Sequence, residues 1–245
     1  MIDKTKGIVL RTVKYGETSL IVTMFTELFG LQSYLVNGVR ATTKKGMPKA
    51  TFFQPAAILD LVAYRNEFKN LQRLKEFRWA YLYQHILSDV KKNAVALFMV
   101  ELLTKCLKQP EANPELFYFV EDALHYLDEA NDTVTANFPL FFALHLAVFF
   151  GFRIADEFSG NIHYLDLEEG RFVEEQPKHS YYLQDREAAA VSHILKIMHP
   201  QELQEVALNQ QMRRRIIQGL EEYYVLHIPD FGTMKTLPVL REISG

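Results

Sequence analysis

Residues Lys6–Arg40 read KGIVLRTVKYGETSLIVTMFTELFGLQSYLVNGVR. The first ten, KGIVLRTVKY, are rich in β-branched side chains, and a tight Tyr15-Gly16-Glu17 turn separates them from a second such run, GETSLIVTMFT. A third, LFGLQSYLVNGV, is entered through Gly30. Further on, QPAAILDLVAY supplies a fourth strand, and FKNLQRLKEF a fifth. In the fifth, Phe68, Leu71, Leu74 and Phe77 also suit a helix, and the strand reading is preferred. Ile21 and Phe25 lie on one face of the second run, with Leu20, Val22 and Met24 on the other. Both faces are apolar, as a barrel strand covered on its outside requires. Five short strands in this length fit a small barrel, either the Greek-key OB type, which commonly binds single strands or oligosaccharides, or another barrel of the same size, between which composition does not choose.

Between the third and fourth strands lies NGVRATTKKGMPKATFFQP, Asn37–Pro55. It carries Arg40, Lys44, Lys45 and Lys49, and no Asp or Glu occurs between Glu27 and Asp60. Glycines, threonines and prolines make it a loop. The formal net charge of −3 hides an asymmetry: residues 1–80 hold 13 Lys+Arg against 6 Asp+Glu, and residues 81–245 hold 14 against 24. A basic first third on an acidic body points to a polyanionic partner. Arg11 and Val13 share a strand face, Lys14 and Tyr15 stand at the turn, and Tyr34 and Tyr64 lie on neighbouring runs. Aromatic faces stack bases and cations neutralise phosphates, the combination used for sequence-tolerant single-strand binding.

From Arg78 the period becomes helical, and the expected boundary divides a barrel domain, 1–79, from a helical domain, 80–245. Leu97, Val100, Leu103 and Leu107 recur at helical spacing up to Pro110. Asn113-Pro114 reads as a cap followed by a first helical position. ANFPLFFALHLAVFFGF is expected to start near Asn137 and, being apolar almost all round, to lie at the centre of the bundle. Its most apolar stretch, Phe138–Phe152, has 15 residues and is short for a bilayer. Residues 152–184 lose the period and read as a hairpin or irregular excursion turning at Gly170, packed by Phe158, Tyr164, Leu167 and Phe172. Helices resume at Asp185, expected to act as a cap. The N-terminus lacks the pattern of a signal peptide, and the expected location is the cytoplasm, with the nucleoid.

Catalytic patterns are missing. No G-x-x-x-x-G-K-[ST] or G-x-G-x-x-G run occurs, so the basic loop is not a nucleotide-hydrolase phosphate loop. The eight histidines are scattered; His145 is expected in the core, and His163 and His179 share the irregular segment. The paired acids at 168–169, 174–175 and 221–222 read as solvated surface. The single cysteine, Cys106, excludes an internal disulfide and a cysteine-cluster zinc site. The chain therefore reads as a binding protein rather than an enzyme, with no cofactor.

The opening stretch resembles the RecO family of bacterial recombination mediators: a strand, a YGET turn, a strand ending FT, and a glycine-led strand into G-x-R. FFQPAAILDL after the basic loop, VELLTKCL and FALHLAVFFGF are similar in character. The resemblance spans nearly the whole chain, specific over the first sixty residues and loose after Gly151. It implies an OB-fold followed by a helical domain, binding and annealing of single- and double-stranded DNA, and help in loading the RecA recombinase onto strands coated by single-strand-binding protein (SSB). The implied partners are RecR, the Phe-ended acidic tail of SSB, and through them RecF and RecA, with no membrane. Many members carry a four-cysteine zinc site after the central helix; here IADEFSGNIHYLDLEEGRF has no cysteine, as in zinc-free members. In some relatives an arginine before the central helix holds the SSB tail. None is near Asn137-Phe138-Pro139, which leaves Lys105, Lys108 or Arg153 to supply a cation. Arg213-Arg214-Arg215 either touches DNA or pairs with the acidic helices. An adaptor whose basic barrel meets an acidic protein is the alternative reading, and an enzyme acting on a small anion a third.

Overall fold

A computed structural model describes residues 2–40, 49–66 and 68–243. The five strands are β1 (Ile2–Tyr15), β2 (Ser19–Thr26), β3 (Gly30–Val36), β4 (Ile58–Tyr64) and β5 (Leu71–Tyr81). They close in the order β1-β2-β3-β5-β4, with β3 and β5 parallel and every other pairing antiparallel. This is the expected OB barrel, and the fifth run is a strand.

Two bulges decide which side chains face inward. Leu10 is the extra residue between Val9 and Arg11, so Val9 lies in the core while Arg11, two positions on, faces out. On β5 the pairing skips Lys75. Leu74 and Phe77 therefore both pack on the barrel core, and their three-residue spacing is a bulge rather than a helical turn. A one-turn 3-10 helix, Lys49–Phe53, plugs one end. Phe53 is buried against Phe77, ring centroids 4.7 Å apart, and the Thr12 hydroxyl donates to the Phe53 carbonyl at 2.7 Å.

The chain divides into two compact units, residues 1–83 with 107–124, and 84–106 with 125–245. In the first, the opening half of α2 (Pro114–Glu129) covers the barrel. Asn113 caps it, its Oδ1 accepting from Leu116 N at 2.9 Å. Phe117 meets Phe25 with centroids 5.8 Å apart, and Lys6 Nζ donates to Glu121 at 2.8 Å. Gly30, at φ +62°, permits close approach here: a Cβ would lie 2.0 Å from the Glu111 carbonyl oxygen.

The second unit is built on α1 (Val90–Cys106), α3 (Asp132–Phe149), α4 (Asp185–Leu195), α5 (Gln210–His227) and α6 (Thr236–Ile243). Helix α3 starts five residues before Asn137, capped by Asn131, whose Oδ1 accepts from Val134 N at 2.9 Å. Pro139 thus sits inside the helix rather than in its first turn. By length and composition α3 could cross a membrane, yet most of it is buried within the unit, and Phe138, Phe142 and Leu146 have no exposed surface. Asn137 supports it by donating to Leu203 O and Val206 O.

Residues 152–184 form a small sheet of β6 (Tyr164–Asp166), β7 (Arg171–Val173) and β8 (Tyr182–Gln184), with β6 central. Leu165, Leu167, Phe172 and Leu183 are buried, and Phe158 meets Phe172 edge-on at 5.5 Å. Asp185 opens α4 at φ +47° without capping it through its side chain. Its carboxylate lies 3.5 Å from His163, whereas His179 faces Asp166 at 3.3 Å and Glu168 at 3.5 Å. With no cysteine and the two histidines turned to different carboxylates, the donor set does not fit the zinc site that many relatives carry.

Candidate nucleic-acid interface

Strand pairing assembles an outer barrel face from sequence-distant residues. Val13, Ile21, Leu35, Arg73 and Tyr64 form one row across β1, β2, β3, β5 and β4. Arg11, Thr23, Ser33 and Leu71 form the next, its hydroxyls joined by Thr23–Ser33 contact at 3.2 Å. Towards the β1–β2 turn the face continues through Tyr15 and Ser19. Tyr15 and Tyr64 are 54% and 47% exposed. These rows contain hydroxyl, apolar, aromatic and guanidinium groups and no carboxylate.

Lys14 projects to the opposite side of β1 from Tyr15, the side where Thr12 anchors the 3-10 plug, and it is exposed. Arg40 is half-buried at the foot of the basic loop. Its backbone N–H donates to Thr18 O at 3.0 Å and its guanidinium to Gly16 O at 3.2 Å, tying the loop to the YGET turn. Lys49, exposed, opens the 3-10 turn. Lys44 and Lys45 lie outside the described residues.

Tyr34 is a correction. It pairs with Val22 and Gln72 on the inward side of β3, and its ring is 1% exposed in the core. Burial pushes its phenol pKa up to about 12, and it offers no face to a base.

Availability separates the remaining cations. Lys6 is held by Glu121, a bond that raises its pKa against the opposing effect of burial. Arg78 bonds Asp60 at 2.9 Å, and Lys75 lies 3.4 Å from Glu76. Among the described residues, no carboxylate is in ion-pair range of Arg11, Lys14, Lys49 or Arg73. Sequence reasoning missed Arg73, because its place on the face follows from a parallel β3–β5 pairing that no local pattern announces.

The second unit carries a groove of about 430 Å³ whose lining includes Lys91, Thr135, Ala136, Val206, Arg213 and Leu240. A narrow continuation reaches Pro139 and Ile217. Arg213 is partly desolvated, which lowers its pKa. Its guanidinium donates to Leu208 O, while its Nε and the Thr135 hydroxyl are buried without hydrogen-bond partners. The neighbouring Arg214 and Arg215 donate to the carbonyls of Arg241 and Tyr182. Lys105 is likewise committed: its ammonium donates to Phe231 O at 2.6 Å and stands over that ring. Arg153 is exposed in this unit, and Lys108 is exposed in the first.

Comparison with known proteins agrees with this architecture. Residues 1–83 match the model of the recombination protein O N terminal domain, and residues 87–236 that of the C terminal domain. The chain is 35% identical to the DNA repair protein RecO of Bacteroides fragilis over 246 residues, 99% of each chain. It is 31% identical to that of Phocaeicola vulgatus over 243 residues, again 99% of each, and 32% identical to that of Flavobacterium johnsoniae over 242 residues, 98% of each. An OB barrel followed by a helical domain, matched along both parts, places this chain in the recombination protein O family of DNA repair proteins.

Proposed function

We propose that the chain is a DNA-binding recombination mediator that binds and anneals strands and helps load RecA onto SSB-coated single strands. The observation that carries this is the set of carboxylate-free rows on the barrel face, where Arg11, Arg73, Tyr15 and Tyr64 are exposed. Phosphates meet cations with which no described carboxylate pairs, and bases meet aromatic and aliphatic surface. Annealing needs no bond chemistry: charge neutralisation lowers the mutual repulsion of two strands, so the proposed role is non-enzymatic. Residues 1–79 act as the DNA-binding domain.

In this reading the helical part recruits partners, RecR and the SSB tail among them. The groove at Arg213 suits a tail ending in an aromatic residue and a carboxylate, with Ala136, Pro139 and Leu240 as its apolar floor. Arg213, rather than Lys105, Lys108 or Arg153, takes the part of the tail's cation, because a desolvated guanidinium with an unpartnered N–H binds a carboxylate strongly.

The test is titration of a labelled oligonucleotide at two salt concentrations. Affinity should fall steeply with salt, with a logarithmic slope of about −0.7 per neutralised phosphate on a single strand. A Lys44→Glu, Lys45→Glu double variant should flatten that slope and bind at least about tenfold more weakly at low salt. Absence of binding at low salt would favour the adaptor reading, in which the basic barrel meets an acidic protein.

A further inference from the structure

We propose that the stacked pair Phe52–Trp79, at the foot of the basic loop, is a second base-binding point, which takes the face of an unpaired nucleobase. The inference rests on the nucleic-acid reading above and adds a contact away from the sheet rows that carry it.

Phe52 and Trp79 pack at the margin of the barrel core, outside its fully buried set. Phe53 is 2% exposed and closes on Phe77. Phe52, one residue earlier, lies nearly parallel to Trp79, with centroids 4.9 Å apart and an interplanar angle of 23°. Both rings remain partly exposed. Phe77 supports Phe52 edge-on at 5.3 Å and holds its plane. A fixed, flat π surface that keeps part of its area exposed is what a base stacks on.

Charge says what would cover it. Positions i and i+3 of a 3-10 helix eclipse one another, so Lys49 and Phe52 project from the same side of the turn. Lys14 shares a strand face with Thr12, whose hydroxyl holds the Phe53 carbonyl. No acidic residue occurs from Leu28 to Leu59. A cation beside an aromatic plane, without a carboxylate on this stretch, matches a phosphate followed by its base. A duplex keeps its base faces stacked, so the occupant is single-stranded.

Trp79 is the only tryptophan, so emission excited beyond the tyrosine absorption band reports this site alone. The full chain is titrated with a dye-labelled oligothymidylate and with an abasic oligomer of equal length. Dye anisotropy reads binding, and Trp79 emission reads stacking. Both polymers should bind, but only the one with bases should quench Trp79. Phe52→Leu, which keeps an apolar side chain but removes the plane, should weaken oligothymidylate binding about fivefold and leave abasic binding unchanged. Equal effects of the two polymers on Trp79, or unchanged oligothymidylate affinity in Phe52→Leu, would overturn the stacking proposal while leaving DNA binding in place. Failure of both polymers to change the anisotropy would remove the nucleic-acid reading itself, and this inference with it.

Discussion

Asp128 has no exposed surface, and three backbone N–H groups converge on its carboxylate: Gln84 at 2.8 Å, His85 at 2.9 Å and Ile86 at 2.8 Å. Its own carbonyl accepts from the buried Lys92 ammonium at 2.6 Å. One side chain thus fixes the start of the second unit's chain. Burial would raise its pKa, but the three backbone bonds outweigh that and lower it below the usual 3.8. A carboxylate with a depressed folded pKa stabilises fully above its unfolded pKa, and that share is lost as pH falls through the lower folded value. Asp128→Ala should cost about 3 kcal/mol, since it removes the acceptor of three backbone N–H groups and strands the buried one at Ile86. Urea melts across the acid range check it: the loss should be full near neutral pH and shrink below about pH 4. Such a residue is invisible in sequence, because its partners lie 36 to 44 positions away. Tyr34 and Tyr64 make the same point. Both are strand tyrosines, and only the inward or outward turn of each strand makes one core and the other surface.

At the scale of elements, the strands of the barrel were legible because β-branched runs and turn residues are local signals. What blurred them were the bulges. Skipping Lys75 put Leu74 and Phe77 on one side and imitated a helical period. The α3 start was displaced for a related reason: Pro139 favours a first turn, but Asn131 supplies the cap that sets the true beginning. The cap at Asn113, by contrast, was legible, since Asn and Pro stand side by side. The β5 register yields a test of the interface. Arg73 faces out next to Leu35 and Tyr64 with no carboxylate in ion-pair range among the described residues, whereas Arg78 is spent on Asp60. Arg73→Ala should weaken oligonucleotide binding about threefold to tenfold and reduce the salt slope by roughly one contact. Arg78→Ala should change neither by as much as twofold. Equal losses from both would mean that diffuse charge, rather than this face, holds the strand.

Across the whole molecule, charge follows the division of labour: the residues that build the barrel hold the cationic excess, and the remainder of the chain the acidic one. On the proposed reading, this asymmetry favours a polyanion at the barrel, while an acidic peptide on the acidic part would gain affinity only at a desolvated local cation. The groove at Arg213 offers that: a half-buried guanidinium, an apolar floor and unpartnered polar atoms. The sequence showed only a triple arginine run there, because the carbonyls that orient the guanidiniums come from positions 182, 208 and 241. If the two sites are separate, their losses should be separable. A labelled peptide ending in an SSB-like acidic, Phe-terminated tail should bind the full chain, and Arg213→Ala should weaken it about tenfold or more by leaving its carboxylate unpaired. The same variant should bind an oligonucleotide normally, and Lys44→Glu, Lys45→Glu should do the reverse. Amidation of the peptide's terminal carboxylate should reproduce the Arg213→Ala loss, and the two changes together should cost little more than either alone, since they delete one contact from opposite sides. Additive losses would place the carboxylate on a different cation and detach Arg213 from the tail.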